Sequence, residues 1–475
     1  MRNFSLLTDL YELTMGQGYF DRGIHTREAA FDLFFRSNEL ISYSVAAGME
    51  EAAGYLENLR FEKEDLFYLS SLGLFSDGFL KYLKNFRFTG TVRAVREGEV
   101  VFPNEPILTV RAPLFEAQIV ETALLNFINH ETLIATKASK IVREAKGDPV
   151  MEFGLRRAQG ADAGVFGARA ALVAGCASTS NVYAGKMFSI PVSGTMAHSW
   201  VMNFPTEREA FEAYAATYPD DCVLLVDTYD TLSSGVPNAI AVLGALKERG
   251  HTPKGIRIDS GDLAYLSKEA RKMLDDAGLK EVKICVSGDL DEYTIRSLKE
   301  QGAKIDSWGV GTKLITSAQL PSLGGVYKLS AVFENGEEIP KLKRSDTEAK
   351  TTNPAYKEAY RIYDKKTGDA LFDYLARAGE TVNERSVLLV GGRKKYEGNF
   401  SVKRLLQPLF LGGKRVMPRY TVDEARGYCK EELARFREEY KRLDMPHIYK
   451  VHLSPALSEL KNRLVEKIEE ENGSV

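Results

Sequence analysis

The chain has 475 residues, 44% hydrophobic and 27% charged, with 63 lysines and arginines against 66 aspartates and glutamates for a formal net charge of −3. That length can bury a large core, divided into two or three units, without help from disulfides. The balanced charge excludes an overall field that would draw in nucleic acid or an anionic membrane, so a phosphate-bearing ligand has to be met by local basic groups.

Taken in chain order, Thr8-Asp9-Leu10-Tyr11-Glu12-Leu13 offers a helix start with apolar residues at helical spacing, and the first 90 residues read as mainly helical, with two or three short helices over residues 50–87. From Phe88 to Pro113 the pattern alternates and is punctuated by Gly, Pro and Asn, which predicts a small antiparallel sheet with tight turns. A helix is predicted from about Phe115 to Ala145. Short apolar runs then recur at Pro149–Phe153, Ala171–Ala177, Ile190–Gly194, Cys222–Asp227, Gly255–Asp259, Lys283–Ser287 and Ser307–Gly311. Most gaps between them hold a helical pattern, as at Ala239–Arg249, Ser267–Ala277 and Asp291–Gln301. Buried strands alternating with helices are the pattern of a parallel sheet, and seven runs point to a closed or nearly closed barrel. After about residue 325, Tyr327–Phe333, Tyr356–Asp364 and Leu371–Tyr374 read as strands that rejoin the amino-terminal sheet, Glu334–Asn353 reads as a surface loop, and the tail from Thr421 reads as amphipathic, solvated helices. The expected architecture is α/β. An irregular parallel α/β barrel of about seven strands occupies residues 115–325. An α+β sandwich domain is formed by 1–114 and post-barrel strands from about 326–410, and a helical extension covers 411–475.

Cys176, Cys222, Cys285 and Cys429 form no C-x-x-C pair, which argues against structural zinc. The first three lie in apolar runs and read as reduced core thiols, pointing to the cytoplasm. Met1-Arg2-Asn3-Phe4 lacks the apolar stretch of a signal peptide, and no run of 18 apolar residues predicts a membrane-spanning helix.

In a parallel barrel the carboxyl ends of the strands share one site. The seven runs end in Glu152-Phe153-Gly154-Leu155-Arg156-Arg157, Ser178-Thr179-Ser180-Asn181, Gly194-Thr195-Met196-Ala197-His198-Ser199, Asp227-Thr228-Tyr229-Asp230, Arg257-Ile258-Asp259-Ser260-Gly261-Asp262, Ser287-Gly288-Asp289 and Gly309-Val310-Gly311-Thr312-Lys313. Arg257 and Asp259 flank Ile258 and so share a face, which is the interior in a barrel. Burying two charges costs several kcal/mol unless they are paired or bind something, which marks a site. The last two ends are glycine-rich, and backbone N–H groups there suit a phosphate, with Thr312 adding a hydroxyl and Lys313 a charge. His198 follows a Gly-Thr turn among hydroxyls, where an imidazole can serve as a base or as a nucleophile that carries a phosphoryl group.

Leu6-Leu7-Thr8-Asp9-Leu10-Tyr11, Glu152-Phe153-Gly154-Leu155-Arg156-Arg157-Ala158, Gly194 to Ser199, Arg257 to Asp262 and Gly309 to Thr312 occur in order, and together they resemble the nicotinate phosphoribosyltransferase family. The resemblance implies a reaction of nicotinate with 5-phosphoribosyl 1-pyrophosphate that yields nicotinate mononucleotide and pyrophosphate, in NAD salvage. It implies that ATP hydrolysis drives the reaction through a phosphohistidine at the position of His198, and that Mg²⁺ is required. Tyr11 and Phe153 match aromatic residues that sandwich the pyridine ring, Tyr11 reaching in from the second subunit of a homodimer with shared sites. Thr195 and Arg257 match nicotinate-binding positions, and Thr312 matches a phosphoribosyl pyrophosphate contact. The chemistry agrees with these roles. A flat ring with a carboxylate needs aromatic faces and a cationic or hydroxyl partner. Asp259, expected also as a catalytic residue, and Asp262 suit Mg²⁺ or the ribose hydroxyls. Arg156, Gly288, Gly309 and Gly311 are expected at phosphoribosyl pyrophosphate, and Arg157, Lys137 and Lys140 are further candidates for its charge. Two rival activities are a nicotinamide phosphoribosyltransferase, whose members carry an aspartate around Ser178–Asn181 where this chain has neutral Thr179, Ser180 and Asn181, and a quinolinate phosphoribosyltransferase, which needs more cations and no ATP. A non-enzymatic barrel would leave Arg257, Asp259 and His198 without a purpose.

Overall fold

A computed structural model describes residues 3–37, 41–345, 350–383, 386–388 and 395–473. Met1-Arg2, residues 346–349 of the expected surface loop, and parts of the post-barrel and tail segments lie outside these. The chain forms two compact units, Ile134–Pro321 and the combination of Met1–Leu133 with Ser322–Val475.

Ile134–Pro321 is built on six strands: β1 (Val150–Glu152), β2 (Ser178–Thr179), β3 (Val223–Leu225), β4 (Gly255–Ile258), β5 (Lys283–Gly288) and β6 (Ser307–Val310). They pair in the order β2-β1-β6-β5-β4-β3, every pairing parallel. Ile256, Ile258, Ile284, Val286, Trp308 and Val310 are buried, and cover on both faces is why these strands read as continuous apolar runs. The helices Val236–Glu248, Leu263–Asp276 and Glu292–Glu300 fill the crossovers. Asp262 and Asp291 cap the last two, accepting from the Tyr265 and Thr294 amides at 3.0 and 2.8 Å.

Two of the seven expected strands are corrected. Ala171–Ala177 is the end of the helix Ala161–Val173 and the turn after it, because alanine and leucine carry the helix on until Gly175 turns the chain at φ +112°. The strand begins only at Ser178. Ile190–Gly194 contributes a single parallel bridge, Thr179 to Val192, with the Thr179 amide donating to Pro191 O at 3.1 Å and the Ser193 amide to Thr179 O at 2.9 Å. Pro191 has no N–H to extend that ladder. Among the described residues the sheet is a six-stranded parallel ladder with this bridged segment at one edge.

The other unit holds a seven-stranded sheet in the order Glu337–Pro340, Gly325–Glu334, Glu28–Phe35, Leu108–Pro113, Thr91–Ala94, Gln407–Leu411, Lys414–Arg415. Its strand Glu28–Phe35 corrects the helical reading of the first 90 residues. It is central and buried on both faces, so it shows no alternation, and Asp32 interrupts it. That carboxylate pairs with Lys357 and accepts from Thr109 Oγ1 at 3.0 Å. Glu337–Pro340 likewise turns part of the expected surface loop into an edge strand. Lys357–Asp364 and Ala370–Arg377 do not rejoin the amino-terminal sheet. They pair with each other and with Phe400–Arg404 and Val451–Leu453 in a sheet of four. At its centre, fully buried Arg361 bonds both Asp373 oxygens at 2.8 and 2.7 Å and Glu99 at 2.6 Å. The tail is part of this core. Tyr449 Oη donates to Asp373 at 3.0 Å, and Tyr363 Oη donates to Glu432 of the helix Val422–Ala434 at 2.8 Å. All four cysteines are buried thiols. No helix among the described residues is long and apolar enough to cross a membrane.

Candidate active site

The carboxyl ends of β1 to β6 place Arg257 at the centre of a polar cluster. Its Nη1 donates to Thr195 Oγ1 at 2.8 Å and to Met196 O at 3.2 Å, its Nε donates to Ser287 Oγ at 3.0 Å, and its Nη2 lies 3.3 Å from Asp259 Oδ1. Ser287 Oγ donates in turn to the same Asp259 oxygen. Registry explains the grouping. Cys285 faces Arg257 across β5 and β4, so Ser287, two residues on, arrives beside Asp259. Burial alone would push the Asp259 carboxyl up. The Ser287 hydroxyl, the Arg257 guanidinium and the His198 imidazole outweigh it and hold the group below the usual carboxylate range.

His198 opens the short helix His198–Met202, and its Nδ1 is 3.1 Å from Thr228 Oγ1, at the end of β3. Beside it, Asp227 accepts through Oδ2 from the Asp259 amide at 3.0 Å and from Ser260 Oγ at 2.6 Å. Its Oδ1 is buried with no hydrogen-bond donor. Such an atom is costly unless something else meets it.

Phe153 is held by its amide, which donates to Val310 O at 2.8 Å. Its half-buried ring lies against β6 at Gly309, where a Cβ would come within 2.6 Å of Cδ2 and Cε2 of the ring. Gly309 is therefore required by the ring. Behind it Glu152 is buried, accepting from Thr179 Oγ1 at 2.6 Å and from the Gly154 amide, with its carboxyl raised by burial. Gly288 has φ +116°, and a Cβ there would lie 2.6 Å from Asp259 O, so this turn also demands glycine. Gly311 precedes the four-residue helix Thr312–Ile315, where Thr312 is exposed.

The other expected site residues divide. Arg156 and Arg157 are exposed on the 3₁₀ turn Leu155–Arg157. Lys137 is buried against Glu292 at 2.7 Å, which makes it a structural ion pair and corrects its candidacy for pyrophosphate. Burial lowers Lys140. Lys313 is committed to Asp291 at 3.0 Å. Asp262 spends one oxygen as a helix cap. Asn181 caps the helix Val182–Phe188 at the Ala184 amide, 3.0 Å, and donates to Gly164 O at 3.1 Å. Tyr11 belongs to the other unit, on the helix Leu10–Asp21, with 46% of its surface exposed. Sequence reasoning gave no role to Ser287, Asp227 or Thr228, although each stands at a strand end it had marked.

The description "Nicotinate phosphoribosyltransferase (NAPRTase) family" matches residues 149–373, with the corresponding N-terminal domain at 6–129 and C-terminal domain at 356–461. A nicotinate phosphoribosyltransferase of Bacillus subtilis (strain 168) is 46% identical over 483 residues, covering 99% of this chain and 98% of that one. The chain belongs to the nicotinate phosphoribosyltransferase family. Another member, from Mycobacterium tuberculosis, is 40% identical over 453 residues, covering 95% of this chain and 91% of its own. The crystal structure of human nicotinic acid phosphoribosyltransferase superposes with a TM-score of 0.85 at 32% identity, covering 96% of this chain and 99% of that one. Its relatives are phosphoribosyltransferases, so this family member is an enzyme with an α/β fold.

Proposed function

We propose that the chain joins nicotinate to 5-phosphoribosyl 1-pyrophosphate, forming nicotinate mononucleotide and pyrophosphate for NAD biosynthesis. The observation that carries this reading is the Arg257 guanidinium, held by Thr195, Met196 O, Ser287 and Asp259 near the strand ends that also present Phe153. A carboxylate takes the charge and hydroxyl that Arg257 and Thr195 offer, and the pyridine ring takes the aromatic face. Tyr11 would supply the second face from the partner in a homodimer, which its exposure together with Leu10 and Met15 supports.

Cleavage of the ribose–pyrophosphate bond builds positive charge on the sugar. Asp259, kept ionised by its neighbours, is suited to face that charge or the ribose hydroxyls. The glycine turns at Gly288, Gly309 and Gly311, with Thr312 and Arg156, offer backbone and side-chain donors to the phosphates. Among the described residues no three His, Cys, Asp or Glu side chains gather as a metal site. Mg²⁺ fits all the same, held by one or two carboxylates together with substrate phosphates. Asp259 and Asp262 are the candidate ligands, Asp262 with one oxygen already spent as a helix cap, and the orphaned Oδ1 of Asp227 is a further hard oxygen in want of a partner. When bound, the cation would neutralise the leaving pyrophosphate.

ATP is the expected co-substrate, its γ-phosphoryl passing to His198. The added charge of roughly −1.5 to −2 would draw cationic groups and metal together around the substrates. The His198–Thr228 contact joins the segment after the Val192 bridge to the end of β3, the two extremes of the strand order, and supports a sheet curled into a barrel. Reduced buried thiols support a cytoplasmic site of action. The rivals are amidated or doubly carboxylated substrates. Incubation with phosphoribosyl pyrophosphate, Mg²⁺, ATP and an equimolar mixture of nicotinate, nicotinamide and quinolinate should yield nicotinate mononucleotide predominantly. Preferential use of either competitor overturns the substrate assignment.

A further inference from the structure

Glu152 is the last residue of β1 and has no exposed surface. Among the described residues no cation pairs with its carboxylate, and two donors from the strand ends meet it instead. The Gly154 amide donates to Oε1, and the Thr179 hydroxyl donates to Oε2 at 2.6 Å. A carboxylate buried without a cation is costly, and such groups concentrate at functional sites.

Each oxygen holds a different part of the candidate site. The bond from the Gly154 amide closes back across Phe153, the one residue between the two, and so fixes the direction in which the ring leaves the strand. The turn is tightly packed, since a Cβ on Gly154 would lie 2.5 Å from Ile315 Cβ and 2.8 Å from Glu152 Oε1. The other oxygen holds Thr179, through which the next two strand-end segments are joined. The Thr179 hydroxyl also accepts from the Asn181 amide at 3.0 Å. Its amide donates to Pro191 O at 3.1 Å, and its carbonyl accepts from the Ser193 amide at 2.9 Å. Two residues after Ser193 comes Thr195, whose hydroxyl accepts from Arg257 Nη1 at 2.8 Å. Between β1 and β2 the ladder ends with the Ser180 amide on Glu152 O at 2.9 Å, and beyond that point the Glu152 side chain takes over.

We propose that Glu152 is a positioning residue for nicotinate, whose two bonds set the placement of the Phe153 ring relative to the segment that presents Thr195. The proposal rests on the reading of Phe153 and Thr195 as nicotinate contacts. Glu152 is enclosed behind Phe153 and touches no substrate itself. Losing either bond lets the aromatic face and the hydroxyl drift apart, so the loss falls on nicotinate. The donors offered to phosphoribosyl pyrophosphate at Gly288 stand on β5 and have no bond to Glu152, so that substrate is much less affected.

The test is KM for each substrate, with the other saturating, in the wild type, Glu152→Gln, Thr179→Val, Thr179→Ser and Phe153→Ala. Glutamine keeps the length of glutamate but has one acceptor oxygen, so it cannot accept from Gly154 and Thr179 at once. Valine removes the Thr179 hydroxyl. A hydrogen bond to a charged group is worth about tenfold in affinity or more, so KM for nicotinate should rise by about tenfold in Glu152→Gln and in Thr179→Val. KM for phosphoribosyl pyrophosphate should change much less, and Thr179→Ser, which restores a hydroxyl, should recover most of the loss. Wild-type KM for nicotinate in folded Glu152→Gln, or an equal rise in both KM values, overturns the proposal. An unchanged KM for nicotinate in Phe153→Ala overturns the underlying reading of Phe153 instead. Should Glu152→Gln fail to fold, the Thr179 pair carries the test. Wild-type KM for nicotinate in Thr179→Val, or a Thr179→Ser enzyme as impaired as Thr179→Val, then overturns the proposal.

Discussion

Gly309→Ala acts first on the support of the Phe153 ring. The new Cβ would lie 2.6 Å from ring carbons Cδ2 and Cε2 and 3.2 Å from Ser287 Cβ. Carbon atoms pack comfortably at about 3.5–4.0 Å, so the ring has to retreat by about 1 Å. The strand cannot take up that shift. Gly309 is paired with Ser287 on one side and Met151 on the other, and the Phe153 backbone is tied to Val310 O at 2.8 Å. The ring therefore moves over the place proposed for nicotinate. A displacement of about 1 Å near reacting groups costs up to about 100-fold in rate, while overpacking of this kind destabilises by about 1–3 kcal/mol, which a domain of this size survives. Steady-state kinetics on the folded variant, checked by circular dichroism, should show kcat/KM for nicotinate down by about 10–100-fold, with KM for phosphoribosyl pyrophosphate much less affected. Wild-type kcat/KM for nicotinate in a folded Gly309→Ala enzyme would refute the placement of Phe153 against the substrate.

Two further variants probe other parts of the account. Arg257→Lys keeps the charge but cannot bond Thr195, Met196 O, Ser287 and Asp259 together, so KM for nicotinate should rise by about 10–100-fold, and an unchanged KM would remove Arg257 from the carboxylate site. Arg361→Met leaves Asp373 buried without its cation and Glu99 with Lys403 alone, at a cost of about 3–5 kcal/mol, read as a lowered thermal midpoint, and a midpoint equal to wild type would contradict the role given to this network.

Much of the parallel unit could be read from sequence, because strands covered on both faces leave unbroken apolar runs such as Ile284-Cys285-Val286. The same physics hid Glu28–Phe35, which is central in an antiparallel sheet, lacks alternation, and carries an Asp32 whose partner Lys357 lies 325 residues away. Ala171–Ala177 misled in the other direction, since apolarity alone does not separate the end of a buried helix from a strand. At the site, the spacing of Arg257 and Asp259 was legible because alternation within one strand is local information. Ser287 was not, because its place beside Asp259 is set by the register of β5 on β4. Asp227 was passed over for a similar reason. Its bonds to the Asp259 amide and Ser260 hydroxyl depend on which strand end lies next to which. The ion pairing of Lys137 with Glu292 and of Lys313 with Asp291 is also invisible until the fold brings them together.

The most direct test of the central claim, that this site couples ATP hydrolysis to mononucleotide formation through His198, is to measure nicotinate mononucleotide and ADP together in the wild type and in His198→Ala. The account predicts that ADP and mononucleotide rise in step in the wild type. In His198→Ala it predicts no substrate-dependent ADP, and no lowering of the apparent KM by ATP. Formation of neither product by the wild type, or an ATP effect on KM that survives in His198→Ala, would contradict it.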